Sequence, residues 1–169
     1  MLKGFSKYTI LSVLVGVLFA ACLSVWFAVC SATPSGVLTF AVLNVGQGDA
    51  LYIESPTGVQ VLIDGGPDSS LLRELPKVMP LFDRSLDAVI ATHPDQDHIA
   101  GLVDVLRRYE VGVFVEPGIP KPTATARALE EEVKERAVPK FLGRRGLVLD
   151  LGGGAQLVIL FPDHDVTRE

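Results

Sequence analysis

The stretch Ala91-Thr-His-Pro-Asp-Gln-Asp-His-Ile-Ala-Gly101 places two histidines and two aspartates within the six positions His93 to His98. Immediately before it runs LDAVIAT, Leu86 to Thr92, almost continuously apolar and so a buried strand in type. Immediately after it, Ile99, Leu102, Val103 and Leu106 fall at i, i+3, i+4 and i+7, which predicts an amphipathic helix over His98 to Tyr109 with one face inward. A loop leaving a strand end can turn alternate side chains toward one point. His93 and Asp95 can therefore reach one ion, and the adjacent Asp97 and His98 a second. Imidazole nitrogen and carboxylate oxygen suit zinc, manganese or iron, and each added carboxylate hardens the set toward manganese or magnesium. Two such ions polarise a phosphoryl or carbonyl oxygen and lower the pKa of a shared water.

Each residue also has a structural use. Asp97, placed just before the expected helix, is a good N-cap. Asp95 after Pro94 forms turns readily, and His93 can be a polar residue at a strand end. Two of the three histidines of the chain lie in this one loop, beside two carboxylates. That concentration favours the metal reading of the set.

Working outward, VLTFAVLNV, DALYIES and VQVLID are three β-rich runs from Val37 onward, with Pro56-Thr57-Gly58 as the tight turn joining the second to the third. Ser69 to Met79 has helical spacing broken by Pro76. VGVFVEP is a strand. Thr123 to Ala137 is a second helix with Glu130/Lys134 and Glu132/Arg136 at i, i+4. GLVLDLGGGAQLVILFP reads as a hairpin around Gly152-Gly153-Gly154. Strand, loop, helix, strand, helix is α/β order.

The 169 residues are 49% hydrophobic, with a mean hydropathy of +0.39 and a net charge of -5. Much of the apolar excess sits in Thr9 to Cys30, uncharged and close to the ~20 residues that cross a bilayer as a helix. Lys3 and Lys7 precede it and the next basic residue is Arg73, so residues 1–8 are expected in the cytoplasm, 9–30 in the membrane and the remainder outside, after a linker at 31–36. A cleaved signal peptide is the alternative, although its apolar core would be shorter. Both cysteines, Cys22 and Cys30, fall inside this segment, so the folded part at 37–169 has neither disulfide nor thiolate ligands. Beyond Cys30 the chain carries 13 basic against 20 acidic residues. Such a surface does not attract phosphate backbones unaided, and composition neither supports nor excludes nucleic acid.

His93-Pro94-Asp95-Gln96-Asp97-His98 resembles the H-x-[HD]-x-D-H signature of the metallo-β-lactamase superfamily. Upstream, Asn44-Val45-Gly46-Gln47-Gly48-Asp49-Ala50 and Leu62-Ile63-Asp64-Gly65-Gly66 are similar to two blocks that precede it in one branch, the ComEC-type DNA internalisation competence proteins and their standalone relatives. The resemblance implies a four-layer αββα sandwich with two divalent ions, zinc or manganese. His93 and Asp95 would hold the first ion and Asp97 and His98 the second, with Asp97 also orienting the attacking water. It implies Asp64 as a loop-fixing group behind the ligands, and the Gln47 to Asp49 turn, with Asp49, at the rim. Asp95 stands where the commoner pattern has a second histidine. The family site also uses a later histidine, a bridging aspartate and a final histidine, and after His98 the sequence offers only His164. The chain is therefore expected to be the N-terminal half of such a domain, with the C-terminal half as its missing partner.

Three functions follow as expectations. The first is a membrane-anchored phosphodiesterase or nuclease with DNA as its partner. The second is a hydrolase of small esters or thioesters on the same fold, and the third a non-catalytic module.

Overall fold

In this computed structural model residues 6–32 and 34–166 are described, and they divide into two units, Met1–Thr33 and Pro34–Glu169. The first contains a single helix, α1 (Lys7–Ala32), which is long and apolar enough to cross a membrane. It extends two residues beyond the apolar stretch at each end. Most of the expected cytoplasmic segment, residues 1–5, lies outside the described residues.

The second unit opens with β1 (Thr39–Val42), β2 (Leu51–Glu54) and β3 (Gln60–Ile63), an antiparallel meander. The expected hairpin turn is there, with Gly58 N-H donating to Ser55 O. The next helical run splits as Pro76 requires: α2 (Leu71–Glu74) gives way to a 3-10 turn over Leu75–Lys77. Then come β4 (Ser85–Ile90), α3 (Gln96–Arg108), β5 (Glu110–Glu116), α4 (Ala124–Glu135) and β6 (Lys140–Leu142). Strands β3 to β6 are parallel and adjacent in chain order, completing a six-stranded sheet. Right-handed crossovers that all step in one direction put every connecting helix on the same face.

That face holds the main core. Leu62, Val89 and Phe114 of the sheet meet Leu71, Ile99, Leu102, Leu106, Leu129 and Val133 of the helices. Removing such side chains from water is worth about 1.5–3 kcal/mol each. The alternate strand residues Val61, Ala88, Ile90 and Val115 face the other way and are covered by a hairpin, β7 (Val148–Gly152) and β8 (Ala155–Val158), through Leu149, Leu151 and Leu157. Helices, large sheet and small sheet are three of the four layers implied by the sequence, and the α/β class holds. The hairpin leaves apolar surface exposed at Val148 and Val158, and at Leu160 just beyond it.

Three details differ from the sequence reading. β6 has no periodic apolar signature; Lys-Phe-Leu is a short, exposed edge strand. Glu130 pairs with Lys140 of β6 rather than with Lys134. And α3 starts at Gln96, two residues early, with Asp95 in the N-cap position at φ -80°, ψ 143°. Asp97 is thus inside the first turn and is not the cap.

The loops after β1 and β3 lock onto the first turns of α3 through glycines. A Cβ on Gly101 would overlap the carbonyl oxygen of Gly65, one on Gly65 would come within 2.8 Å of Leu102 N, and one on Gly48 would overlap Asp97 O. Gly65 N-H donates to His98 O at 2.6 Å and Gly66 N-H to Asp49 O at 3.0 Å. Replacing Gly101 by alanine should destabilise the folded unit by about 2 kcal/mol, because the obstructing atom is backbone and cannot rotate away. Urea denaturation of the full chain in detergent, followed by near-UV circular dichroism, would show the lowered midpoint.

Candidate metal centre

The parallel strands end along one edge of the sheet, and the loops leaving β3, β4 and β5 build the site there. β3 delivers Asp64, β4 delivers Thr92 and His93, the first turn of α3 delivers His98, and the β5–α4 loop delivers Lys121. The ligand-type atoms of Asp64, His93 and His98 all lie within 4.8 Å of one another, and the two imidazole ring centres are 3.9 Å apart.

Asp64 organises this group. It is 2% exposed and takes the left-handed conformation, φ 58°, which aspartate tolerates better than most residues. Its Oδ1 accepts from Thr92 N-H at 2.8 Å, and its Oδ2 is 2.5 Å from Thr92 Oγ1 and 2.9 Å from His98 Nδ1. An ionised carboxylate only accepts, so Thr92 spends its single hydroxyl proton on Asp64 and His98 carries its proton on Nδ1. The Thr92 oxygen, 2.9 Å from His93 Nδ1, must then accept from that ring. One buried carboxylate thereby sets both histidines in the same tautomer, leaving both Nε2 lone pairs for an external ligand.

Asp95 completes the array differently. Although it occupies the N-cap position of α3, its carboxylate makes no capping hydrogen bond. Instead Oδ2 lies 3.7 Å from His93 Nε2 and Oδ1 is held by Lys121 Nζ. The hydrogen bond from Lys121 lowers the Asp95 carboxyl pKa; slight burial opposes this, and the charges of Lys121, His93 and His98 reinforce it.

The structure groups the expected ligands in a new way. His93 and His98 come together, and Asp95 leans toward His93. Asp97 stands outside the cluster, half-buried, with no hydrogen bond or ion pair joining its side chain to another described residue. The reason is the early start of α3, since successive helical residues diverge by about 100°. Asp49 contributes its backbone carbonyl to Gly66 while its side chain is exposed. His164 is exposed and pairs with neighbouring Asp163 at 2.8 Å. Thr92 and Lys121 carry roles that no sequence pattern signalled: Thr92 reads as the last residue of a strand, and Lys121 as one basic residue in a Pro-rich loop.

Residues 43–167 match the family model of the metallo-beta-lactamase superfamily. The chain belongs to this superfamily. No curated protein matches it. A metallo-beta-lactamase domain implies divalent metal, and the donor set here fits one on its own chemistry. Two imidazole nitrogens are oriented outward by a buried carboxylate, and a further carboxylate at the helix start is turned to the site instead of capping the helix.

Two outcomes test this metallo-beta-lactamase centre. Asp64→Asn keeps the left-handed backbone but confronts three donors with one fewer acceptor. It should lower zinc and manganese affinity by about 10- to 100-fold in calorimetric titration while far-UV circular dichroism is unchanged. Lys121→Met should raise the Asp95 titration midpoint, read by carboxyl carbon NMR, back toward the ordinary carboxylate range. The sign is that of a lowered pKa. The pair stabilises the fold above the unfolded-state value, and that contribution is lost as pH falls through the folded one.

Proposed function

We propose that the chain is a membrane-anchored, metal-dependent hydrolase whose substrate is a phosphodiester, with DNA as the polymer it meets outside the cytoplasm. The observation that carries the hydrolase part is the Asp64-centred network, which gathers His93 and His98 with both Nε2 atoms left to accept a ligand, beside the Asp95 carboxylate at 3.7 Å from His93 Nε2. His93, Asp95 and His98 would hold divalent metal, and Asp97, which stands outside their cluster, would join as a further ligand only by turning its side chain toward them; two ions, zinc or manganese, are the stoichiometry we assign. The metal supplies a Lewis acid and an activated water. The protein's own groups do the rest. Asp64 and Thr92 fix the imidazoles, and Asp97, whose side chain has no partner among the described residues, would orient the water. Lys121 and Arg127 beside the site offer positive charge in an otherwise acidic chain.

The phosphodiester assignment is supported by the similarity of the three sequence blocks to the competence-type branch and by those two cations. Anchoring is supported by α1, and the orientation with the hydrolase outside by Lys3 and Lys7 ahead of it. One observation favours a second reading. The cleft beside His93 has a volume of about 280 Å³ and a largely aliphatic wall, including Ile99, Ile119 and Leu129. That lining suits a small ester or thioester.

The deciding experiment is the full chain in detergent, loaded with manganese or zinc and offered linear DNA beside a thioester panel. Cleavage of DNA should fall by about a thousandfold in Asp97→Ala, and His98→Ala should lose both cleavage and metal. Absence of DNA cleavage with either metal rejects the phosphodiester reading, and thioester cleavage would establish the second.

A further inference from the structure

The cleft beside His93 is walled by the β5–α4 loop, Pro117 to Lys121, and by the first two turns of α4. Its charges are not equivalent. The two acids on the wall, Glu116 and Glu130, are both engaged by one cation, Lys140, at 3.2 and 2.8 Å. Arg127 holds the loop by donating from Nη1 to Pro122 O at 3.1 Å. The N-terminus of α4, capped by Thr123 Oγ1 and carrying no acid in its first turn, adds the positive end of a helix dipole. Lys140 offsets one of the two carboxylate charges, so attraction for a negative group in the cleft depends on Arg127, the helix N-terminus and a further cation.

Lys121 is tethered to the ligand set and not to the cleft wall. Its side chain is 40% exposed and its ammonium lies on Asp95, the carboxylate that the proposed hydrolase site commits to metal. Its Oδ2 sits on the His93 side, so a divalent ion bound through His93 Nε2 and Asp95 would stand within a few ångströms of the ammonium. Two cations on one carboxylate repel each other, and the lysine, on a flexible four-carbon stem, is the one able to move.

We propose that Lys121 is the anion anchor of this site: a divalent ion at His93 and Asp95 displaces its ammonium into the cleft, where it captures an oxyanion group, phosphoryl or carboxylate, of the substrate. Metal and substrate anion are thereby coupled through one side chain, and the coupling is reciprocal. The inference rests on the metal reading above and goes beyond it by naming the group that recognises the substrate. Lys121 touches substrate and not metal, so its removal must act with opposite signs on the two ligands.

The test is calorimetric titration of the full chain in detergent with manganese, then with sulfate or acetate in the presence and absence of manganese. In the wild type, manganese should strengthen binding of at least one of the two anions by about tenfold. In Lys121→Met, manganese should bind severalfold more tightly, because its competitor for Asp95 is gone, while that anion binding is lost. Lys121→Arg should retain anion capture, and Lys134→Met, which removes an exposed charge on α4, should change neither. Unaltered anion binding in Lys121→Met overturns the proposal. So does joint loss of metal and anion, which would mean that Lys121 only supports the loop. A wild-type chain that binds no manganese overturns it together with the metal reading, whereas wild-type manganese binding with no Lys121 effect overturns the anchor alone.

Discussion

Asp64 is the constraint on which the site depends. A carboxylate that is 2% exposed needs its lone pairs met, and it meets them with Thr92 N-H, Thr92 O-H and His98 Nδ1-H. Each of those donors lies on an element following Asp64 in the chain, so the bonds also tie the end of β3 to the end of β4 and the start of α3. The left-handed backbone at Asp64 aims the side chain across the strand ends. Without it the two imidazoles would each be free to choose a tautomer and a rotamer. With it, protons are assigned along a single path from His93 through Thr92 to the carboxylate, and from His98 directly.

Sheet order explains why such a path can exist. Because β3, β4 and β5 are parallel neighbours, their C-terminal ends lie side by side and successive loops are delivered to one edge. The helices that return the chain to the far edge cover one face of the sheet, and the β7–β8 hairpin packs on the other. Site and core are thus separate consequences of one topology. The core buries the alternating strand residues, while the positions just past each strand, exempt from packing, carry the polar groups.

Much of this was legible in the sequence where a period or a signature existed. Continuous apolar runs marked β4 and β5, the i, i+3, i+4, i+7 spacing marked α3, and Pro76 marked the break after α2. His93, Asp95, Asp97 and His98 read as one metal set, whereas the structure gathers His93 and His98 with Asp64, turns Asp95 toward His93 and leaves Asp97 outside. Asp97 looked like a capping residue in a loop, but α3 starts at Gln96 and takes Asp97 into its first turn, about 100° around the helix from His98. β6 escaped because three residues at a sheet edge have no period to read. Thr92 and Lys121 escaped for a different reason: their roles arise from contacts across 28 and 26 residues of chain, which local pattern cannot encode. Asp64 was read as loop-fixing only through the family resemblance, and its hydrogen bonds supply the physical content of that role.

The glycine contacts described above have a consequence for how such a site changes over generations. The loops after β1 and β3 touch the backbone of α3 through Gly48, Gly65 and the helical Gly101, so a larger residue at any of them strains a second element as well. Variation there is penalised twice. The β5–α4 loop is held instead by side chains, Arg127 on Pro122 O and Arg144 on Pro117 O, and meets the ligands only where Lys121 holds Asp95, so its residues before Lys121 can change in composition without straining the ligand loops. New substrate preferences on this scaffold are therefore most accessible through Pro117 to Pro120, while the metal-binding loops stay frozen by their own close packing.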